Sequence, residues 1–281
     1  MSEEKPGRIK FSQILGFFLM FLLASVFAVP IILAFMSSLK TNGEILKNPI
    51  ALPIRFNLEN FEFLFTRTKI LRAILHTAIL TVASEALIIL VVPMSSYAIV
   101  RRPSKITAAI YLFFVGGMMI PFQSYMIALF RELNTIGLFG TFIGAVIIYV
   151  SGAIAFGTLL YVSFIRTTVP AEIEEAARID GASAFQVFWR IVFPLLSPCT
   201  ASLVVLNGLG IWNDFLMPSL MLSGKNPVTL NVEIFKYVGV YKTQWNVVFA
   251  GAVICIIPAI IVFLALQKYF IKGIAAGAVK G

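Results

Sequence analysis

Charge is scarce in this chain of 281 residues: Asp, Glu, Lys and Arg make up 12% of it and hydrophobic residues 59%, against about 25% and 45–50% in soluble domains. A soluble fold of this length cannot hide so much apolar surface, because single cores stop growing near about 250–300 residues. A bilayer accepts apolar faces without that limit. Histidine occurs once, at His76, which excludes a His-rich metal site and leaves a Ser/His/Asp triad without support; a lone histidine reads as a hydrogen-bonded structural residue. Cysteine occurs twice, at Cys199 and Cys255, without the spacing of a metal or redox motif, so both read as small buried residues. The phosphate-cradling Gly-x-x-x-x-Gly-Lys-[Ser/Thr] loop is absent, and the tail glycines Gly273, Gly277 and Gly281 do not reproduce it. The net charge of +9 is scattered between apolar runs and forms no basic face with interleaved aromatics. That distribution speaks against nucleic acid and for membrane-flanking charge.

Long apolar runs are what the chain does have. A spanning helix needs about 20 mainly apolar residues, and six windows qualify, at about residues 14–36, 74–100, 106–130, 137–164, 200–222 and 247–266. None alternates in the manner of a barrel strand. The expected fold class is an all-α membrane protein of six transmembrane helices, a single transmembrane domain over residues 1–281 with a cytoplasmic helical loop between helices 4 and 5. The first window is longer than the core of a secretory signal and reads as a retained anchor. An even number of spans puts both termini on one side. Lys and Arg favour the cytoplasm for that side, twelve against ten, with Arg101, Arg102 and Lys105 the clearest inside marker. Multi-pass insertion in a cell membrane with cytoplasmic termini is therefore expected.

Prolines at or in the spans (Pro30, Pro93, Pro121, Pro218 and Pro258) remove backbone donors and can kink helices. Gly140 with Gly144, and Ala153 with Gly157, are small residues four apart that let helices approach closely. Bland packing explains both features, and a moving translocation bundle requires them.

One polar insert, residues 166–198, breaks the apolar pattern. Its core, Val169-Pro-Ala-Glu-Ile-Glu-Glu-Ala-Ala-Arg-Ile-Asp-Gly181, reads as a short helix with Pro170 at its start, Glu172, Glu174 and Glu175 at its positive end and Arg178 near its negative end. Gly181 supplies a left-handed cap, and Ser183 starts a second helix over 184–192 that Pro194 stops. The expected outer face carries Ile173, Ala176 and Ala177, rimmed by Glu175, Arg178 and Asp180. A loop lying on the bilayer is the alternative. Interfacial helices are rich in Lys and Arg, however, whereas this one opens with acids.

The stretch Glu175-Ala-Ala-Arg-Ile-Asp-Gly181, followed by Ile191-Val-Phe-Pro-Leu195, resembles the EAA motif of ABC-importer membrane subunits. The tail, residues 267–281, and Ile211-Trp-Asn-Asp-Phe-Leu-Met-Pro218 resemble the maltose-type permeases of carbohydrate importers, so the resemblance covers essentially the whole chain. It implies a single permease domain in a prokaryotic inner or plasma membrane. It also implies that Glu174, Glu175, Ala176, Ala177, Arg178, Asp180 and Gly181 couple to an ATPase, and that Gly273, Gly277, Lys280 and Gly281 reach the same partner. The implied partners are a second, homologous permease, two ATP-binding cassette subunits, an extracytoplasmic solute-binding protein and membrane lipid. No cofactor is expected in this chain, which is then no enzyme; ATP and Mg belong to the ATPase.

Asn207, Trp212, Asn213, Asp214 and Glu85 are polar residues within spans and should face a bundle interior or an aqueous cavity. They are candidates for a substrate path, with Trp and Asn suited to stack on and hydrogen-bond a sugar; polar pairing between helices explains them as well. An ion-coupled secondary transporter is the rival reading, with Glu85, Asp214 and His76 as proton relays, but it leaves the acid-capped projection without a role.

Overall fold

The structure, a computed structural model, describes residues 11–222 and 228–278. The described residues form helices and the turns between them, and fall into two compact units. One takes in the chain up to Thr68 together with Ile234–Ile254; the other runs from Lys69 to Glu233 and resumes at Cys255.

In the first unit, α1 (Phe11–Ser38) is apolar enough to cross a membrane from Ile14 onward. Its large side chains, Phe17, Phe21 and Phe27 among them, are exposed, as suits a helix whose solvent is lipid. Polarity begins where α1 ends. Helix α2 (Asn42–Lys47) opens with a capping box in which the Glu44 N–H donates to Thr41 Oγ1 at 3.3 Å and the Thr41 N–H donates to Glu44 Oε2 at 2.8 Å. The Thr41 backbone and hydroxyl, then the Ile54 N–H, hold the Glu44 carboxyl below the usual carboxylate range.

Helix α3 (Glu59–Arg67) contributes Asn60, 4% exposed. Its Nδ2 donates to the Ser38 and Lys40 carbonyls at 2.8 and 2.9 Å, and its Oδ1 accepts from Asn246 at 2.6 Å. One amide thus closes the turn that follows α1. Asn60→Ala should destabilise the protein by about 2 kcal/mol, because buried carbonyls lose their donor. That corresponds to a fall of roughly 4–8 °C in the thermal unfolding midpoint in detergent, whereas Asn57→Ala, which loses only the exposed bond from the Glu59 N–H at 2.7 Å, should cost about 1 kcal/mol or less.

The second unit is built on α4 (Ile70–Arg101) and α7 (Phe142–Thr168), which lie against each other, with α11 (Ser197–Asn213) packed on both. Leu80, Ile88, Val92, Ile148, Tyr161 and Leu203 are core residues where these helices meet. Close approach is possible because of glycine. A Cβ on Gly157 would lie 2.8 Å from Val92 Cγ1, and one on Gly144 would strike the Leu138 carbonyl oxygen and come within 2.6 Å of Met221 Cε. Gly140, expected to share that packing inside the span, instead sits in the turn before α7 with φ +76°. Its value there is backbone freedom, since L side chains avoid that region.

Four helical stretches among the described residues are long and apolar enough to cross a membrane: Ile14–Ser38, Ile70–Arg101, Phe142–Thr168 and Trp245–Gln267. Two further spans expected as straight helices are bent. The third window is α5 (Lys105–Gly117) and α6 (Phe122–Thr135), meeting at 106°. Gly116 and Gly117 weaken the helix end there, and Pro121 withdraws a donor and disfavours helical geometry at Ile120.

The fifth window is interrupted at Asp214, which is extended between α11 and α12 (Leu216–Met221). On its other side, the stretch Ala184–Leu195 meets α11 at 71°. Counting each bent pair once gives the six spans that the windows imply.

Pro194 does not stop the second loop helix. After α8 (Ala171–Ile179) and α9 (Ala184–Val187), a π-helical turn at Phe188–Val192 lets the Phe193 N–H reach the Phe188 carbonyl. Pro194 then falls in the first turn of the renewed helix, α10 (Phe193–Leu195), where a missing donor costs little. The chain continues with α13 (Leu230–Phe235) and α14 (Trp245–Ala278), the last running well past the expected end at 266 despite Pro258.

Candidate functional site

Helix α8 is terminated at both ends by local chemistry. Pro170 precedes it in extended geometry rather than forming its first turn. At its C-terminus the Ala182 N–H donates to the Ala177 carbonyl and the Gly181 N–H to the Arg178 carbonyl, each at 3.0 Å, with Gly181 at φ +86°. This pair of bonds is the Schellman closure, which requires a left-handed residue at the position of Gly181. Ser183 then opens α9 with a capping box to Gln186. The two helices are thus joined by a turn in which the N–H groups of Asp180, Gly181, Ala182 and Ser183 are all bonded.

Glu174 decides how this projection is held. Expected among the contact residues, it is 2% exposed and turned inward. Tyr97 O–H donates to its Oε2 at 2.5 Å; Arg101 Nε and Nη2 both meet its Oε1 at 2.7 Å, and Arg101 Nη2 also donates to the Val169 carbonyl at 2.7 Å. Arg178, one turn on, lies 3.8 Å from Oε2. A buried carboxylate with this many donors is a strong, directional tie between α8 and the end of α4.

Ala177 also turns inward, with Ala182, onto the core. Glu175, Ala176, Arg178, Asp180 and Gly181 remain exposed, joined by Ile173 and by Ile179 at 87%. Tyr97 and Ile179 carry no signal in the sequence. Arg101 was visible there only as a membrane-flanking charge.

The second feature is an open-sided cavity of about 1130 Å³ in the unit built on α4 and α7. Phe113, Phe114, Phe122 and Phe156 line it together with Gln123, Tyr149, Asn207 and Asp214. It is about as large as small-molecule sites become, and has their usual mix of apolar wall and few polar groups. Asp214 accepts from Tyr149 O–H at 2.9 Å and from the Met217 N–H at 3.4 Å, and Asn207 Nδ2 donates to Glu85 Oε1 at 3.0 Å.

Of the five residues proposed for a substrate path, the cavity therefore brings together Asn207 and Asp214, with buried Glu85 behind Asn207. The Trp212 indole is buried and donates to the Cys255 carbonyl at 3.0 Å, and Asn213 Nδ2 donates to the Leu209 carbonyl at 2.9 Å; neither lines the cavity. The role of Tyr149 was hidden in an apolar run. His76 stands with its Nδ1 3.2 Å from the Val228 carbonyl and its ring edge-on to Phe142, a structural setting. Gly273 and Gly277 lie in α14; Lys280 and Gly281 are outside the described residues.

These features define a class, the polytopic helical membrane subunit with a bent helical projection and an open-sided cavity. Residues 91–276 match the family of binding-protein-dependent transport system inner membrane components, and the chain belongs to that family. It is 36% identical to the probable starch degradation products transport system permease protein AmyC of Thermoanaerobacterium thermosulfurigenes, over 94% of this chain and 95% of that one. It is 34% identical to the melibiose/raffinose/stachyose import permease protein MelC of Bacillus subtilis, over 92% and 95%. The crystal structure of a bacterial ABC transporter involved in alginate import shares the fold, with TM-score 0.77 at 22% identity over 95% of this chain and 100% of that one.

Proposed function

We propose that this chain is one of two paired permeases in an ATP-driven importer of a sugar or oligosaccharide, taking its cargo from an extracytoplasmic binding protein and its power from separate ATPase subunits. The observation that carries the reading is the Glu174 node: a projecting helix, otherwise exposed, is tied through a buried carboxylate to Tyr97 and Arg101 of a membrane-spanning helix. A force applied to Ile173, Ala176 and Ile179 by an ATPase that closes on ATP and Mg would reach α4 without slack. Such a lever turns closure of the motor into a change between inward- and outward-open arrangements.

The names of the relatives support a carbohydrate as cargo, since AmyC, MelC and the multiple sugar-binding transport system permease protein MsmG of Streptococcus mutans are all described by sugars. A relative of known structure is seen with a periplasmic protein bound to alginate pentasaccharide, in keeping with a binding-protein partner here. In this reading both termini and the α8–α9 projection face the cytoplasm, and the tail with Gly273, Gly277, Lys280 and Gly281 is a second ATPase contact. The ion-coupled alternative gains nothing from His76, whose ring is engaged with Val228.

The test is reconstitution of the full complex with its binding protein and a panel of saccharides. Saccharide-stimulated ATP hydrolysis is expected, and uptake driven by an ion gradient without the ATPase would overturn the proposal. Gly181→Asp adds a side chain at φ +86°, a strain of about 1–2 kcal/mol, and a second acid beside Asp180. It should cut stimulated hydrolysis several-fold while membrane insertion, read by fractionation, stays normal.

A further inference from the structure

The wall of the cavity is chemically one-sided. Its polar side chains include Gln123, Tyr125, Tyr149, Ser151, Asn207 and Asp214, and among the described residues that line it there is no Lys, Arg or His. Asp214 is the one acidic group among the described lining residues. Hydrogen bonds orient Tyr149, Ser151 and Asn207. Tyr149 O–H and the Met217 N–H both donate to Asp214, the arrangement that suits a carboxylate, which is an acceptor only. With its proton directed at Asp214, the Tyr149 oxygen offers lone pairs to other partners. Asn207 directs its Nδ2 at Glu85, which leaves its carbonyl Oδ1 available. Behind it Glu85 is buried, and its Oε2 has no hydrogen-bond partner among the described residues. Around Asp214 the wall therefore presents acceptors and negative charge, flanked by aromatic rings, with the Gln123 amide and the Tyr125 hydroxyl as its further polar groups.

We propose that this wall is a polarity filter that admits uncharged, hydroxyl-rich saccharides and rejects saccharides bearing carboxylate or sulfate. Hydroxyl groups donate to Asp214, Tyr149 and Asn207; an anionic group brings a further acceptor and a like charge. The inference rests on the importer reading for the saccharide nature of the cargo, while the electrostatic character of the wall is testable without it. Two like charges about 7 Å apart at an effective dielectric near 20 disfavour each other by on the order of fifty-fold, enough to discriminate between otherwise equal ligands.

The decisive experiment uses the assembled complex in proteoliposomes, with Ser151→Cys placing a thiol on the wall. Cationic aminoethyl and anionic sulfonatoethyl methanethiosulfonates of similar size are compared, and the complex without the new thiol gives the background from buried Cys199 and Cys255. The cation-to-anion rate ratio, relative to that of a small free thiol, should be raised by roughly fifty-fold or more, since attraction of the cation and repulsion of the anion both contribute, and Asp214→Asn should bring it close to the free-thiol value. A ratio equal to that of the free thiol, a ratio unmoved by Asp214→Asn, or no reaction with either reagent overturns the proposal. If the Asp214→Asn chain fails to assemble, the ratio with Ser151→Cys alone decides.

A second measurement compares ATP hydrolysis stimulated by neutral oligosaccharides and by their uronic-acid counterparts of equal length. Equal stimulation by the two also overturns the filter. No stimulation by any neutral saccharide, with the thiol ratio raised as expected, instead refutes saccharide import and leaves the filter standing.

Discussion

Glu174→Ala should abolish saccharide-stimulated ATP hydrolysis in the assembled complex and lower the stability of the chain by about 3 kcal/mol. Removing one member of a buried ion pair costs about 3–5 kcal/mol, because the other charge stays desolvated without a counter-ion. The lower end applies here: the Glu174 side chain is 3% exposed but that of Arg101 is 19%, so water screens part of the loss. Arg101→Ala should cost less, since Tyr97 and Arg178 remain near Glu174.

The double variant should recover part of the stability lost by Glu174→Ala, because no orphan charge remains, but none of the coupling, because the tie between α8 and α4 is gone. Thermal unfolding gives the first quantity, and the ratio of stimulated to basal hydrolysis gives the second. Additive single and double effects on stability would show that the pair does not act as a unit. Stimulation retained without the tie would show that α8 transmits force by another route.

Gly157→Leu should be strongly damaging and should act by separating helices. A Cβ there already falls 2.8 Å from Val92 Cγ1 and 3.6 Å from Leu203 Cδ2, so a leucine must displace α4 or α11. Overpacking of this kind costs about 1–3 kcal/mol, and the full branched side chain belongs at the upper end. Gly152 is the control. It lies on the same helix with nothing within 4 Å of its ideal Cβ, so Gly152→Ala should stabilise by up to about 1 kcal/mol through helix propensity. Gly157→Ala gains the same propensity and should nonetheless be destabilising. Adding Val92→Ala should relieve it, since the obstruction is a side chain and not backbone. Expression level and unfolding midpoint of the four variants in detergent settle the ordering, and equal effects at both glycines would show that packing between α4 and α7 is slack.

The two sites differed in how far the sequence disclosed them. The α8–α9 projection was legible because its signals are local: acids in the first turn, Gly181 at the stop, and Ser183 with Gln186 at the restart lie within a few residues of the groups they satisfy. The side to which each residue turns was not. Glu174 and Glu175 are adjacent acids with equal claim to the surface, and only the arrival of Arg101, 73 residues away, turns one of them inward. Ala176 and Ala177 separate as well, because Ala177 packs on the core while Ala176 stays exposed. In the cavity, Asp214 and Asn207 stood out as polar residues in apolar runs, yet so did Trp212 and Asn213, which bond to Cys255 and Leu209 instead.

Residue chemistry along the chain was enough to determine that this protein lives in a membrane, that it is helical and how many apolar segments it has, because hydrophobic burial and helix capping depend on composition and on near neighbours. Which carboxylate is buried and which polar groups share a cavity were decided by tertiary packing alone. A tie such as Glu174 to Arg101 and a pair such as Tyr149 with Asp214 each depend on groups that meet only once distant helices lie side by side.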